Sequence, residues 1–223
     1  MNYKKRPELL SSEIIERAKR LNSTLLADAT KGTGSMDISI KPVTKEMKVV
    51  GTATTVSMKP TDNLYLHEAI YSEGAGYVLV ADGKGQTSHA YLGELMAYAA
   101  KAMEFCGIVI DGAVRDRLEL EKIKLPIFSK GFVPNGPYKN GPGKINDIIT
   151  CGGVAVSPGD LIVGDADGVT VVAKDDILEV LEQAEKKLEY EKDRINKIED
   201  YIKKKNNNED TESIAPSWLK GKI

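Results

Sequence analysis

Three side chains in the middle of the chain have the types and spacing for chemistry on a small acid: Glu94, Arg115 and Asp116. They lie in the run Gly93–Glu119, which reads as a helix, a short buried strand, a glycine turn and an Arg-Asp pair at the mouth of a second helix. A planar guanidinium can grip a carboxylate through two parallel hydrogen bonds. The adjacent aspartate offers hard oxygen to a divalent ion such as Mg2+ or Mn2+, with water filling most of the shell. A 2-oxo acid, with carboxylate and ketone side by side, could engage both groups at once. Negative charge developing on its keto oxygen would then be stabilised. That is the hard part of retro-aldol cleavage and of decarboxylating a 2-oxo diacid. Taken alone, the pair also has a plain structural use, because an Asp at a helix start complements the helix dipole.

Other chemistries find less support. The two histidines, His67 and His89, form no His-x-x-x-His pair. Cys106 and Cys151 stand 45 positions apart, match no zinc spacing, and read as reduced core residues. There is no Gly-x-Ser-x-Gly elbow and no evident Cys–His partnership. Asp82-Gly83-Lys84-Gly85 follows an apolar run but lacks the Gly-Lys-Ser/Thr of a P-loop and the third glycine of a dinucleotide fingerprint. It reads as a turn or a pocket-lining loop. A Schiff-base aldolase working through Lys31 or Lys130 is a minor alternative.

The 223 residues are 41% hydrophobic and 29% charged, enough for one sizeable core. A net charge of −2 and a pI near 5.9 leave no basic excess for nucleic acid. No apolar run reaches the length of a membrane span, and no apolar h-region follows the N-terminal lysines. A cytoplasmic protein with neither a membrane nor a nucleic-acid partner is the expectation.

The elements that must position the trio follow from periodicity. Ile14, Ile15, Ala18, Leu21 and Leu25 predict an amphipathic helix over 11–26. Val49–Met58 and Tyr77–Ala81 predict strands, with a short helix from Asn63 between them. Leu92–Phe105 predicts a helix closed by Gly107, and Ile108–Ile110 a buried strand that turns at Asp111-Gly112. Arg115 then opens the next helix. Gly131–Gly143 is a long glycine- and proline-rich loop, the kind that often carries function. Val154–Ala173 predicts a meander of short strands, and Asp175–Lys205 one long charged helix. The expected organisation is a single domain over 1–205. A flexible break and a tail follow over 206–223, and the tail, with Trp218, docks on its own body or on a neighbouring subunit. The fold class is mixed α/β or α+β.

These residues resemble the RraA-like family, and within it the class II pyruvate-aldolase branch, the 4-hydroxy-4-methyl-2-oxoglutarate / 4-carboxy-4-hydroxy-2-oxoadipate aldolases. The carriers are Gly93-Glu94-Leu95-Met96, Val109 to Asp116, Pro158-Gly159-Asp160 and Asp165 to Val169. The resemblance covers roughly residues 20–192. The branch's signature is an acidic residue, twenty residues, Arg-Asp, two residues, then Asp or Glu, and it is met by Glu94, Arg115-Asp116 and Glu119. Glu94 stands where the family usually has Asp, one methylene longer.

The resemblance implies a compact β/β/α sandwich with a long C-terminal helix, assembled as trimers or hexamers with the pocket at a subunit interface. It implies that Gly93, Glu94, Leu95 and Met96 bind the pyruvoyl part of the substrate through backbone N–H groups. Arg115 would take its carboxylate or keto oxygen. Asp116 would be the main protein ligand to Mg2+ or Mn2+, and Glu94 would orient a water or move a proton. An acid from a neighbouring subunit's C-terminal helix, Glu191 with Glu189 as rival, would complete the site. The family also holds RraA proteins that inhibit ribonuclease E without known aldolase activity, and in which the residue after the Arg is typically not Asp. The presence of Asp116 favours the enzyme. A methyltransferase reading, used for some such sequences, finds no glycine-rich adenosylmethionine loop here.

Overall fold

The computed structural model describes residues 4–72 and 74–219. In chain order the elements begin with α1 (Ser12–Lys19), α2 (Ser23–Ala29), β1 (Lys41–Pro42), β2 (Val49–Met58) and α3 (Leu64–Ser72). Next come β3 (Tyr77–Leu92), α4 (Glu94–Ala102), β4 (Gly107–Val114), α5 (Arg117–Ile123), β5 (Ile127–Ser129) and β6 (Gly131–Phe132). The chain closes with β7 (Gly143–Ile145), β8 (Ile149–Cys151), β9 (Val154–Val156), β10 (Leu161–Asp165), β11 (Gly168–Val172) and α6 (Ile177–Asn206), with a 3-10 turn at Ser217–Leu219.

The main sheet has the order β1-β5-β4-β3-β2-β10-β11, with β6 beside β4 and β7 beside β2. β2, β3, β4 and β5 run parallel, joined through α3, α4 and α5; β10 and β11 add an antiparallel hairpin. The sheet nearly closes: Lys41 Nζ, at the β1 end, donates to the Asp167 carbonyl beside β11 at 2.5 Å.

Strict alternation splits the strands between two cores, because successive side chains point to opposite faces. Leu79, Ala81, Ile108, Ile110 and Ile127 face α3, α4 and α5. Val78, Val80, Val109, Phe128 and Ile162 face the β8–β9 hairpin. A third cluster packs α1, α2 and α6 on β10 and β11 through Leu26, Leu161, Val172, Leu181 and Ala184. Phe128 and Ile108 are wholly buried, and each such side chain stabilises the fold by about 1.5–3 kcal/mol. Helices on one face and a small hairpin on the other make the layered mixed α/β fold that was expected.

Local readings differ at four places. The helix expected over 11–26 is two helices, because the Asn22 side chain accepts the Leu25 N–H at 2.9 Å and starts α2 afresh. β3 does not stop at Ala81. It continues to Leu92, with register shifts against β4 between Ala81 and Leu92. The glycine at 83 serves the protein's own packing: a side chain there would meet the Asp111 carbonyl at 2.6 Å, and the Tyr91 hydroxyl donates to the Gly83 carbonyl at 2.7 Å. Gly107 does not cap α4 but opens β4, where a Cβ would lie 2.9 Å from the Pro126 carbonyl. α4 ends earlier, at Ala102, with Glu104 left-handed at φ 62°. Asp111-Gly112 is strand, not turn, since β4 runs on to Val114.

In α6, Ile177, Val180, Leu181 and Ala184 are buried and the later turns are largely exposed. The tail returns along this helix, where Arg194 Nη2 donates to the Ile214 carbonyl at 2.6 Å. No helix among the described residues is long and apolar enough to cross a membrane.

Candidate active site

Parallel strands bring the trio together. β3 and β4 end side by side, with Leu92 in register with Val114. The next residues, Gly93 and Arg115, therefore leave the sheet as neighbours, and the Arg115 N–H donates to the Leu92 carbonyl at 3.0 Å. Twenty residues separate Glu94 from Arg115, the length of one helix, one connection and one strand. Carboxyl ends of parallel strands are where open α/β sheets place their ligands.

Asp116 is the N-cap of α5, but its side chain makes no bond to that helix. Its backbone is left-handed, φ 60° and ψ 45°, a conformation costing about 1 kcal/mol for a residue with a Cβ, though Asp tolerates it better than most. The twist sends the carboxylate to another helix: Asp116 Oδ2 accepts the Glu94 N–H, the first of α4, at 2.9 Å. α4 has glycine as its own N-cap, with no side chain to offer. Asp116 thus caps α4 from a neighbouring strand end. The Leu95 and Met96 N–H groups, next along the first turn, have no acceptor within the helix. They form the donor pair expected to meet the pyruvoyl group.

Arg115 Nε lies 3.7 Å from the same Asp116 oxygen, and both side chains are about two-fifths exposed. Gly93 makes this closeness feasible. A methyl group there would overlap Asp116 Oδ2 and sit 3.0 Å from Arg115 Nε. Glu94 is half-buried at the start of α4, and Glu119 donates its N–H to the Asp116 carbonyl at 3.1 Å.

The donor chemistry suits a hard divalent ion. One carboxylate stands at an open rim, and Mg2+ commonly binds proteins through one or two carboxylates while keeping its water. Among the described residues no three His, Cys, Asp or Glu side chains converge on a metal-sized position, so water would complete the shell.

Glu191 is not with the trio. It lies on α6, which packs against α1 and α2, and it stands near Lys187, itself paired with Asp28. Within one chain, then, Glu94, Arg115, Asp116 and the Gly93–Met96 turn assemble, and Glu191 does not. Residues 131–143 contribute a partner that the sequence reading left unassigned: a Cβ at Gly136 would lie 3.1 Å from Arg115 Nη1. The legible signal was the glycine-rich composition of that loop.

A nearly closed, mixed α/β sheet carries Glu94 and the Arg115-Asp116 pair at adjacent strand ends. The chain belongs to the RraA-like family: the family model, described as Aldolase/RraA, matches residues 23–171. A relative from Halalkalibacterium halodurans, named "Putative 4-hydroxy-4-methyl-2-oxoglutarate aldolase", is 38% identical over 190 residues, covering 85% of this chain and 90% of its own. The RNA-processing inhibitor RraA from Thermus thermophilis superposes with a TM-score of 0.63 at 28% identity, over 68% of this chain and 92% of that one. A Pseudomonas syringae protein reaches a TM-score of 0.76 at 24% identity, over 87% and 96%, and shows the shared fold alone.

Proposed function

We propose that this chain is a carbon–carbon lyase that releases pyruvate from 2-oxo acids resembling 4-hydroxy-4-methyl-2-oxoglutarate, with oxaloacetate decarboxylation as a side activity. The observation that carries the reading is the contact of Asp116 with both the α4 N-terminus and the Arg115 guanidinium. One carboxylate, one planar cation and the first turn of α4, whose Leu95 and Met96 N–H groups have no acceptor within the helix, lie side by side. A 2-oxo acid matches that set group for group. Arg115 takes the carboxylate in a two-pronged grip. The Leu95 and Met96 N–H groups point at the pyruvoyl oxygens, aided by the helix dipole. Asp116 would hold Mg2+ or Mn2+, which when bound would offset negative charge on the keto oxygen. Glu94 holds or moves the proton exchanged at the substrate's hydroxyl or at the new methyl group.

Glu191 is assigned to the pocket of a neighbouring subunit in a trimer or hexamer. Leu95 and Leu118, 82% and 64% exposed on α4 and α5, supply apolar surface for that contact. Residues 1–205 act as one domain, with 206–223 as an appended tail, in a cytoplasmic protein. The test is pyruvate release from 4-hydroxy-4-methyl-2-oxoglutarate or oxaloacetate with added Mg2+, run with and without EDTA. Turnover that EDTA abolishes is expected, and no turnover of either substrate would sink the reading.

A second reading, a protein-binding regulator of ribonuclease E, is favoured by the likeness to the Thermus inhibitor. Failure to retain ribonuclease E in a pull-down would remove it.

A further inference from the structure

The loop over 131–143 is fastened at both edges. On one side, the Val133 N–H donates to the Val114 carbonyl at 2.9 Å, the Ala90 N–H to the Asn135 carbonyl at 2.8 Å, and Asn135 Nδ2 to the Ser88 carbonyl at 3.0 Å. On the other, the Tyr138 N–H donates to the Thr61 carbonyl at 2.8 Å, the Asn63 N–H to the Tyr138 carbonyl at 3.0 Å, and the Asn140 N–H to Asp62 Oδ2 at 2.5 Å. His89 and Tyr138 close the span with rings 5.5 Å apart. Gly136 sits inside this span, next to Asn135, and faces Arg115.

The Arg115 side chain is therefore flanked twice by glycine. A Cβ at Gly93 would lie 3.0 Å from Nε and 3.1 Å from Cγ, and a Cβ at Gly136 would lie 3.1 Å from Nη1. Asp116 Oδ2 borders it at 3.7 Å. A flexible arginine loses much side-chain entropy when held to one orientation; backbone this close on two sides, with Asp116 beside it, leaves the Arg115 side chain fewer orientations and so lowers the entropy a ligand must remove.

We propose that Gly93 and Gly136 form a preorganised slot for the Arg115 guanidinium, and that Asn135 is a positioning residue, setting the Gly136 wall and with it the grip on a 2-oxo acid. The ligand part rests on the lyase reading; the slot rests on geometry alone. The Gly136 φ lies outside the left-handed range. A side chain at 136 accordingly presses on the Arg115 guanidinium and does not strain the main chain.

The experiment is side-chain NMR on the full-length protein with 15N-arginine, the Arg115 Nε–H signal being identified by its loss in Arg115→Lys. Pyruvate affinity is measured by calorimetry with Mg2+ present. In the wild type the signal should stand apart from the exposed arginines. In Asn135→Ala and, independently, in Gly136→Val it should move to their position, with pyruvate Kd raised about tenfold. A wild-type signal already at the exposed position overturns the slot, as does a signal unmoved in both variants. If the signal behaves as expected while wild-type protein binds no pyruvate, the slot stands and the lyase reading falls.

Discussion

Asp116 and Asp165 perform the same local task in opposite surroundings. Each reaches out of its own strand end or turn to accept the first N–H of a helix elsewhere in the chain: Glu94 of α4 for Asp116, Ser23 of α2 for Asp165. Asp165 is 7% exposed, and its two oxygens are taken up by the Ser23 N–H at 2.7 Å, the Ser23 hydroxyl at 2.7 Å and the Asp167 N–H at 3.0 Å. Asp116 spends one oxygen on its helix, keeps a guanidinium beside it, and faces the open rim. A saturated buried carboxylate locks a fold, while a half-used exposed one has capacity left for a ligand. Residue type and capping role are shared; saturation separates the two.

The largest test of this contrast is Asp116→Asn. The amide oxygen keeps the cap and Asn tolerates the left-handed backbone, so the fold should survive. Metal-dependent turnover should fall by about 10³-fold, the scale of losing a key electrostatic stabiliser. Near-normal pyruvate release from this variant would place Asp116 with Asp165 as a structural cap. The reverse change is Asp165→Ala. It strands the buried Ser23 N–H and hydroxyl donors and should cost about 3 kcal/mol, lowering Tm by about 6–12 °C. Calorimetric melting checks it, and activity per folded molecule should hold.

Gly93→Ala probes the spacing between the two carboxylate settings. Its methyl displaces the Asp116 carboxylate and crowds Arg115, and kcat/KM should drop by about 10²-fold with little change in Tm. A variant as active as the parent would show that the contact is incidental.

The smallest effect concerns pH. Burial tends to raise the Asp62 pKa, but N–H groups of Asn140, Leu64 and Gly141 outweigh it and hold the carboxyl below 3.8. With the folded value depressed, the unfolded chain binds the proton first as pH falls. The stabilisation is therefore present above the ordinary carboxylate range and is lost as pH falls through the lower folded value. Amide hydrogen exchange at Asn140 should accelerate over that window in the wild type. An Asp62→Asn variant, which lacks the titrating group, should show no such step.

Much of this molecule could be read from residues in order. β2, α6 and the strand-and-turn run around β9–β11 follow from local periodicity and turn chemistry. The gapped acid and Arg-Asp pattern also survives as a line of letters, because one helix and one strand have nearly fixed lengths. Readings failed where a distant partner decided. The miss over 11–26 was local instead: Asn22, an N-cap three residues before Leu25, restarts the helix. The glycines at 83 and 107 looked like punctuation and are instead places where backbones and rings come close. The glycine-rich run over 131–143 marked a loop of interest, but nothing local said that Gly136 would meet Arg115, 21 positions earlier.

The same division holds for the opening trio. Sequence alone determined the three side chains, their spacing, and the chemistry that a carboxylate, a guanidinium and a helix start can perform. Tertiary structure decided that Asp116 turns away from its own helix to cap α4, that Gly93 and Gly136 come close to Arg115, and that Glu191 lies apart on α6. The physical reason is range. Propensity and periodicity act over a few residues, whereas saturation of a carboxylate and confinement of a guanidinium depend on atoms that only the folded chain brings within a few ångströms.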